Sequence, residues 1–457
     1  MKTNIVIPVH NALSYTKQCL GAIRAFLPKK SYEIIVIDNA SNDETGEWLK
    51  EQTDIKIIVN AENRGTAAAY NQGIHISVGE EVLLLHNDVV LIPGVLEKMQ
   101  ARLWADGEIG AVGPVTNRAS YIYQQVEAGS YADMEGLLHF AEQITERERN
   151  ISWQETLFLE DFCLLLKREA AETCGDFDEQ YDLRYLEDLD YSFRLQQKGY
   201  RLGIVRDAYV HHERGSFGKN GMDGMAYYSA NHARFVKKWG FRPEYSASVR
   251  TDLLQFIDFA KADLAILDVG CSCGGNLMRI RSLRSDARLY GVELNEKAAS
   301  IANCFGKVLP MNIEKLDSAS WKGAFDYIIM GDVLEHLYDP WTTVKNMKEL
   351  LKPAGILLAS IPNVAHISII EGLLQGKWQY ADSGLLDRTH LRFFTKQSFL
   401  DMMETAGFNN ELVGGSQVQQ TTAQQQLRAR LQALDVVGDC KEDLNVFQWY
   451  VIAKNEV

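Results

Sequence analysis

Short apolar segments alternate with amphipathic stretches through the first half of the chain. Two stretches with helical periodicity lie between four apolar or β-branched runs, which predicts helices and strands in alternation. The strands are expected at Asn4 to Val9, Glu33 to Ile37, Ile55 to Val59 and Glu81 to Leu85, and the helices at Tyr15 to Phe26 and Ala67 to Ile76. Such alternation is typical of a parallel α/β sheet, in which the carboxyl ends of the strands line the ligand crevice.

A second alternating series begins at Leu264 and continues through Arg288 to Glu293 and Phe325 to Met330. Between the two series, Tyr245 to Lys261 is amphipathic and contains neither Gly nor Pro, which predicts a helix. Since 457 residues exceed what one hydrophobic core usually supports, we expect two α/β domains. Their predicted bounds are 1–245 and 263–457, with a connecting helix over 246–262.

Composition narrows the class of protein. A net charge of -14 argues against nucleic acid as a partner, because nucleic-acid binding depends on Lys and Arg. The apolar runs are too short for a membrane span, and the N-terminus has no signal-peptide pattern. Seven scattered Cys suit a reducing compartment. We therefore expect a cytoplasmic protein, and peripheral contact with the inner face of the membrane stays open.

Several motifs of the first half resemble, in their order, those of family 2 glycosyltransferases with the GT-A fold. They are IVIPVHNAL, VIDNASNDET, NRGTAAAYNQGI, LLLHNDVVL, LEDLDYSFR and VHHERGS. The resemblance spans residues 3 to 240 and is nearest to the rhamnosyltransferase-like members that build surface polysaccharides. It implies an inverting transferase that uses a nucleoside diphosphate sugar, with thymidine or uridine as the base, and a glycan acceptor that is free or lipid-linked.

A divalent cation, Mg²⁺ or Mn²⁺, would neutralise the diphosphate that leaves in such a reaction. The resemblance implies Asp88 and His211 as its ligands; His211 fits the spacing to Ser216, and His212 remains an alternative because neighbouring strand residues face opposite sides. The family has a second carboxylate where this chain has His86, so only one carboxylate is predicted.

The resemblance also places nucleotide-binding residues at the ends of predicted strands. Asp38 corresponds to the family residue that binds the base, although it could also cap the turn DNASND. Pro8 and Asn39 are expected on the same edge. Gly65 would let the backbone at the start of a helix approach the phosphates.

An acceptor hydroxyl needs a base, and the adjacent carboxyls of Glu187 and Asp188 can supply one. Similarity to the family's Glu-Asp motif implies that Asp188 is the base and Glu187 its neighbour. Asp190 and Arg194 have the spacing of a helical ion pair, so neither is predicted to be catalytic.

The second half resembles class I S-adenosylmethionine-dependent methyltransferases, which have a Rossmann-like fold. The motifs are LDVGCSCGGNL, YGVELN and FDYIIMGDVLEHLYDP, and LNVFQWYVIAKN resembles the closing antiparallel strand. The resemblance implies cofactor contacts from seven residues: Asp268, Gly270, Gly274, Glu293, Asn312, Ile313 and Asp332. Ser272 replaces a usual Gly. A dinucleotide-dependent dehydrogenase is the alternative, but the GxGxxG spacing is absent.

Methyl transfer to oxygen needs a residue that accepts the proton of the hydroxyl. His336, His366 and His390 are candidates, and DRTHLRFFT resembles a segment of methyltransferases that accompany polysaccharide genes, which favours His390. A structural histidine in a turn remains an alternative. The predicted function is sugar transfer followed by O-methylation of a glycan hydroxyl; alternatively, one domain is a degenerate binding module.

Overall fold

The computed structural model describes residues 2–121, 123–127, 129, 131–213, 221–434 and 442–456. The chain divides into two compact units, Met1–Ala247 and Ser248–Val457. Each unit is an α/β structure with its own mixed sheet. The two α/β domains expected from the sequence are therefore confirmed.

The described part of the first unit forms a nine-stranded sheet in the order β3-β2-β1-β4-β8-β6-β9-β5, and β7 pairs with β9. The strands are β1 Thr3–Val9, β2 Tyr32–Asp38, β3 Ile55–Val59, β4 Glu81–Leu85, β5 Val89–Val90, β6 Ile109–Thr116, β7 Trp153–Thr156, β8 Cys163–Lys167 and β9 Arg201–His212. Strands β1 to β4 are parallel, and β8 is antiparallel to β4. The carboxyl ends of β1, β2 and β4 consequently meet at one edge.

Helices cover both faces of this sheet, because the central strands β1 and β4 are mostly apolar and buried along almost their whole length. They are α1 Leu13–Phe26, α2 Thr45–Lys50, α3 Gly65–Ile76, α4 Val95–Leu103, α5 Met134–Glu148, α6 Arg168–Cys174, α7 Glu187–Gln197, α8 Gly221–Trp239 and α9 Pro243–Ser246, with a 3-10 turn at Arg149–Ile151. Helix α1 buries Cys19, Leu20 and Ile23 in the core.

The second unit has a seven-stranded sheet among its described residues, in the order β12-β11-β10-β13-β14-β16-β15. The strands are β10 Ala265–Val269, β11 Arg288–Glu293, β12 Lys307–Pro310, β13 Phe325–Gly331, β14 Leu351–Pro362, β15 Asn409–Ser416 and β16 Gln448–Lys454. Strand β16 is antiparallel to β14 and β15. The expected closing antiparallel strand is therefore confirmed.

The helices of the second unit are α10 Thr251–Leu254, α11 Gly275–Leu283, α12 Glu296–Ala302, α13 Pro340–Leu350, α14 Ile367–Leu374, α15 Lys396–Thr405 and α16 Thr422–Gln432. Short 3-10 turns occupy Ile313–Lys315, Ser318–Trp321, Leu334–His336 and Asp443–Asn445. No helix in the described ranges combines the length and the apolar character needed to cross a bilayer.

The segment 246–262 is not the single connecting helix that its pattern predicts. It holds the end of α9 and the four-residue α10, separated by residues without helical structure. Long-range contacts replace helical hydrogen bonds here: the Arg250 amide donates to Asn276 Oδ1 over 2.8 Å, and the Asp258 amide donates to the Tyr327 hydroxyl over 3.1 Å. The expectation of a connecting helix is therefore wrong.

Candidate active sites

Polar side chains of the first unit gather where β1, β2 and β4 end. Asp38 is the last residue of β2, and Pro8 lies opposite Ile37 in the neighbouring strand. His86 and Asp88 follow β4, between it and β5. Strand β9 brings its last residues to β5, where Val89 pairs with His212.

His86, Asp88 and His212 form a compact group. One possible ligand atom from each lies within 4.8 Å of the others. The Nε2 atom of His212 lies 3.3 Å from Oδ1 of Asp88, and Nε2 of His86 lies 3.2 Å from Oδ1 of Asp161. Two imidazoles and a carboxylate are donors that a divalent cation accepts, so these three residues fit a metal ion.

The structure places His212, and not His211, against Asp88. His211 lies on the other face of β9, where its Nδ1 contacts the Tyr131 hydroxyl and its Nε2 lies 3.0 Å from Glu213 Oε1. The alternation of side chains along a strand explains the difference. His211 as the partner of Asp88 is corrected to His212, and Ser216, which motivated the choice, lies outside the described residues.

Glu187 and Asp188 form the first turn of α7, next to this group. Glu187 is 2% exposed, whereas Asp188 is partly exposed. Burial raises the pKa of both carboxyls well above their usual values; the charge of Asp161 adds to the effect on each. Burial lowers the pKa of His86, but the surrounding carboxylates, Asp161 first, outweigh it and raise that pKa to about 9. Several carboxyl groups therefore lie close together at this site, and a bound cation would reduce the repulsion between their negative charges.

The predicted nucleotide-binding residues are close together, but several of their polar atoms already have protein partners. Asp38 Oδ1 accepts from the Ser41 amide over 2.9 Å, so the turn-capping alternative holds for that oxygen. The Asn39 amide group donates to the Gly65 carbonyl over 3.0 Å, and its oxygen accepts from Asn60 over 2.8 Å. Asn39 therefore braces the loops of this edge.

Gly65 begins α3 in the left-handed region, at φ +83°. A Cβ at this position would lie 3.0 Å from the Cα atom of Leu183. The Thr66 amide donates to the Leu183 carbonyl over 2.8 Å, which fixes this close approach. The start of α3 is therefore packed directly against the segment that precedes Glu187.

Asp190 anchors α7 and is fully buried. Its carboxylate lies 2.9 Å from Arg194 Nε and 2.7 Å from Lys238 Nζ, and it accepts from Trp239 Nε1 over 2.9 Å. The predicted ion pair of Asp190 and Arg194 is confirmed, and it includes a second cation from α8. This cluster, Asp190 with Arg194, Lys238 and Trp239, is called the Asp190 hub below.

In the second unit, a sharp loop follows β10. Gly270 and Gly274 have φ values of +69° and +87°. A Cβ at Gly270 would lie 2.7 Å from Val333, and a Cβ at Gly274 would lie 2.9 Å from Ala302. Ser272 also has a positive φ, 48°, a backbone conformation that suits Gly better than a residue with a side chain. Its amide donates to Glu293 Oε2 over 2.9 Å.

Asp268, Asn312 and Ile313 lie at the same edge of the second sheet as this loop. Burial raises the pKa of Asp268 to about 7. Asn312 caps the 3-10 turn after β12 by accepting from the Glu314 amide over 2.8 Å, and Ile313 is buried next to it. Asp268 is the penultimate residue of β10, and Glu293 ends the neighbouring parallel strand β11.

Asp332 follows β13 and is tied to protein partners. Its carboxylate lies 2.8 Å from Arg250 Nη1 and accepts from the Ser360 hydroxyl over 3.0 Å. Arg250 also pairs with Asp252 over 2.8 Å. Asp332 thus holds the start of the second unit against its sheet edge.

The structure brings two of the three candidate histidines together. The rings of His336 and His390 lie 4.9 Å apart, whereas His366 caps α14 and contacts the Ser368 hydroxyl over 2.8 Å. Glu335 lies between β13 and this pair and is 1% exposed. Burial, with the nearby charge of Asp332, raises the pKa of Glu335 well above its usual value.

Sequence reasoning did not identify His86, Asp161, Arg250 or Glu335 as site residues. His86 was noted only as a departure from the family motif. Asp161 and Glu335 each stand next to an apolar strand or turn, as in LEDFCLLL and DVLEHL. The sequence does show an acidic residue directly beside a run of apolar residues. Such a position indicates a buried carboxylate, which needs a protein partner or a ligand.

Two family models match separate parts of the chain. Residues 4–175 match the family model "Glycosyl transferase family 2", and residues 239–413 match the model "Methyltransferase domain". The poly-beta-1,6-N-acetyl-D-glucosamine synthase of Staphylococcus aureus (strain COL) is 29% identical over 175 residues, which are 37% of this chain and 40% of that protein. The chain thus matches less than half the length of that relative.

Two solved structures are similar to parts of the chain. A mannosyltransferase from Pyrobaculum calidifontis, solved with GDP-Man and Mn²⁺, covers 53% of this chain and 66% of its own, with 20% identity and a TM-score of 0.38. A SAM-dependent methyltransferase from Archaeoglobus fulgidus covers 49% of this chain and 98% of its own, with 17% identity and a TM-score of 0.33. From the matches to the two family models and the two α/β sheets, the chain carries an N-terminal glycosyltransferase family 2 domain of GT-A-like fold and a C-terminal Rossmann-like methyltransferase domain.

Proposed function

We propose that the chain is a bifunctional enzyme of surface glycan synthesis. In this proposal the first domain, of the rhamnosyltransferase-like type, transfers a sugar with inversion from a thymidine or uridine diphosphate donor to a glycan. The second domain methylates a hydroxyl of a glycan, which is free or lipid-linked. The similarity to a polysaccharide synthase supports a glycan acceptor, and we place the reaction in the cytoplasm or at the inner face of the membrane.

The proposal rests on one observation: a group of three possible metal ligands lies beside a pair of adjacent carboxyl side chains. His86, Asp88 and His212 offer ligand atoms within 4.8 Å of one another, beside the first turn of α7 with Glu187 and Asp188. A divalent cation, when bound, would offset the charge of a departing diphosphate.

Asp188 is the proposed base, because it is partly exposed whereas Glu187 is 2% exposed. The raised pKa of Asp188 makes it a better proton acceptor than an ordinary aspartate. After burial, the charges of Asp161 and Glu160 raise the pKa of Asp188, and the charges of Asp161 and Asp188 raise that of Glu187. Asp38, Pro8 and Gly65 would contact the nucleotide.

S-adenosylmethionine, when bound to the second domain, would supply the methyl group. A Cβ at Gly270 or Gly274 would clash with Val333 or Ala302, so glycine at these positions lets the loop after β10 pack tightly at the sheet edge where we place the cofactor. Glu293 ends β11, where a carboxylate can accept from ribose hydroxyls. We place Asn312 and Ile313 at the adenine.

A second candidate is that the methyltransferase domain only binds its ligand. The left-handed backbone of Ser272, at φ 48°, favours this alternative because a side chain occupies a position suited to Gly. Binding of S-adenosylmethionine without methyl transfer to any glycan hydroxyl would support it.

The test separates binding from chemistry in the first domain. Asp188→Asn is expected to lower turnover by about 10² to 10⁴, the usual contribution of a general base, with nucleotide affinity retained. Asp88→Ala is expected to weaken Mn²⁺-dependent nucleotide binding as well. Sugar transfer and UDP or dTDP binding are measured, with Glu172→Gln as a control on the exposed face of α6.

Two results would contradict the assignment. An inactive Glu187→Gln together with an active Asp188→Asn would move the base by one residue. Near-native transfer in both variants would remove the pair from the mechanism. Methyl transfer to a supplied glycan is expected to stay unchanged in all these variants.

A further inference from the structure

A second group of metal-ligand side chains lies in the methyltransferase domain. Glu335 and His336 end the 3-10 turn after β13, and His390 lies in the segment between α14 and α15. One possible ligand atom from each lies within 4.8 Å of the others. Ligands about 2.1 Å from one ion lie about 3 to 3.5 Å apart, so small side-chain rotations would close the set.

Backbone hydrogen bonds hold this group together. The Glu335 carbonyl accepts from the Leu391 amide over 2.7 Å and from the Arg392 amide over 3.0 Å. These two bonds attach the segment carrying His390 to the turn carrying His336. The group is therefore built by the fold and does not depend on long flexible side chains.

Both histidines are oriented as metal ligands usually are. Nδ1 of His336 lies 3.2 Å from the Thr389 carbonyl, and Nδ1 of His390 lies 3.2 Å from the Leu385 carbonyl. A carbonyl only accepts, so each Nδ1 must carry the proton, and the lone pair is left on Nε2. A backbone carbonyl behind the ring is the usual outer partner of a metal-bound imidazole.

Glu335 supplies an independent sign of a ligand. It is 1% exposed, and neither carboxylate oxygen has a hydrogen-bond partner within the part of the chain that the structure describes. Arg250, whose charge acts on Glu335, already pairs with Asp252 and Asp332. A buried carboxylate without a donor is costly, and a bound cation would satisfy it.

His390 also lines a cavity of about 590 Å³. The other lining residues are Tyr380, Arg388, Leu391 and Phe393. The aromatic rings offer flat apolar walls, and the cation group offers a place for oxygen ligands at the edge of the cavity. A sugar fits both features, because its ring can pack against the aromatic walls and two neighbouring hydroxyls can bind the cation.

We propose that Glu335, His336 and His390 bind a divalent first-row metal ion whose remaining positions take two neighbouring hydroxyl oxygens of the glycan acceptor. Two imidazoles and one carboxylate leave such positions open. The cation binding stands on the geometry alone, whereas the acceptor role rests on the proposed methyl transfer. Under this proposal His336 and His390 position the acceptor through the ion and do not serve as proton acceptors.

The experiment uses Co²⁺ as the probe, because imidazole-bound Co²⁺ absorbs visible light. The full chain also has the group of His86, Asp88 and His212, so the titration is made with the double variant Asp88→Asn, His212→Gln. We expect one bound Co²⁺ per chain with a visible spectrum. Adding His390→Gln or Glu335→Gln should weaken Co²⁺ binding at least tenfold, whereas adding Glu404→Gln, an exposed carboxyl of α15, should not.

Binding of S-adenosylhomocysteine is measured on the same proteins. Retained binding by the His390→Gln protein shows that it is folded and that its loss of Co²⁺ is specific. Absence of Co²⁺ binding in the double variant, or equal binding with and without His390, would overturn the cation site. A chain that binds Co²⁺ but not S-adenosylhomocysteine would instead contradict the proposed methyl transfer and leave the cation site standing.

The acceptor role has its own measurement. In the double variant with Co²⁺ bound, a methylatable glycan with neighbouring hydroxyls should change the visible spectrum, and the matching monodeoxy glycan should not. Identical spectra with both glycans would overturn the acceptor role.

Discussion

At the residue scale, the charge of one buried aspartate adds to burial in setting the ionisation of the first site. Asp161 lies 3.2 Å from His86 and contributes to the raised pKa of Glu187, Asp188 and His86. Its effect on a carboxyl and on an imidazole has the same sign, because a neighbouring negative charge favours the protonated form of both.

Asp161→Asn should therefore lower all three pKa values. Since a catalytic base must be ionised, activity is lost as the pH falls through its pKa, and the acid limb of kcat/KM should move to lower pH in the variant. The pKa of His86 should fall from about 9 towards or below the ordinary value, because burial then dominates. The pH–rate profile and histidine NMR titration check these shifts.

The matched control is Glu97→Gln, which removes an exposed carboxyl of α4. Its acid limb and the titration of His86 should not move. An unchanged acid limb in Asp161→Asn would mean that a residue other than Asp188 or Glu187 sets it.

The residue scale also shows where sequence reasoning stops. The pattern VHH at the end of β9 could not tell His211 from His212, because the phase of a strand depends on its register. Here the pairing of β6 with β9 shifts between Pro114 and Val115, and no local signal reports that shift. The result is that His212 faces Asp88.

At the scale of elements, strands were predicted well where a short run of mostly apolar residues is bounded by polar ones. Ile55–Val59, Glu81–Leu85 and Arg288–Glu293 have the expected bounds, since each strand is a short apolar run between polar residues. The connecting helix failed because periodicity does not reveal long-range partners. The Arg250 amide bonds to Asn276, which is far away in sequence.

The start of α3 gives an element-scale prediction with an internal control. Gly65 and Gly94 both have left-handed backbones, at φ +83° and +80°, but a Cβ at Gly94 meets nothing within 4 Å. Gly94→Ala should cost only the backbone strain, about 1 kcal/mol. Gly65→Ala should cost more, because its Cβ would press on Leu183, and it should also weaken nucleotide binding.

Chemical denaturation and UDP titration measure the two effects. Equal losses of stability in the two variants, with nucleotide affinity unchanged in both, would show that the approach of α3 to Leu183 is not needed for binding. A loss of affinity in Gly94→Ala alone would contradict the placement of the phosphates at α3.

At the scale of the whole molecule, the chain consists of two units with separate cores, Met1–Ala247 and Ser248–Val457. A ligand that binds only a folded unit stabilises it by RT ln(1 + [L]/Kd), which is about 2.7 kcal/mol at 100 times Kd. UDP with Mn²⁺ should therefore raise the unfolding temperature of one unit, and S-adenosylhomocysteine that of the other. Differential scanning calorimetry of the full chain checks this.

Asp88→Asn serves as the control for that experiment. It should remove the shift caused by UDP and Mn²⁺ and leave the shift caused by S-adenosylhomocysteine. If both ligands moved one shared transition by equal amounts in every protein, the two units would not unfold independently.

The Asp190 hub has a consequence for how sequences of this kind can diverge. The carboxylate of Asp190 pairs with Arg194, whose side chain is only 18% exposed, so losing Asp190 alone would leave that guanidinium with an unbalanced charge, at a cost of about 3 to 5 kcal/mol. Lys238 would keep its ion pair with Asp178 over 2.6 Å. Single changes at these positions would be removed by selection, and tolerated ones would occur together. In related chains, positions 190 and 194 should therefore co-vary in charge, although they lie beyond the residues 4–175 that match the family model.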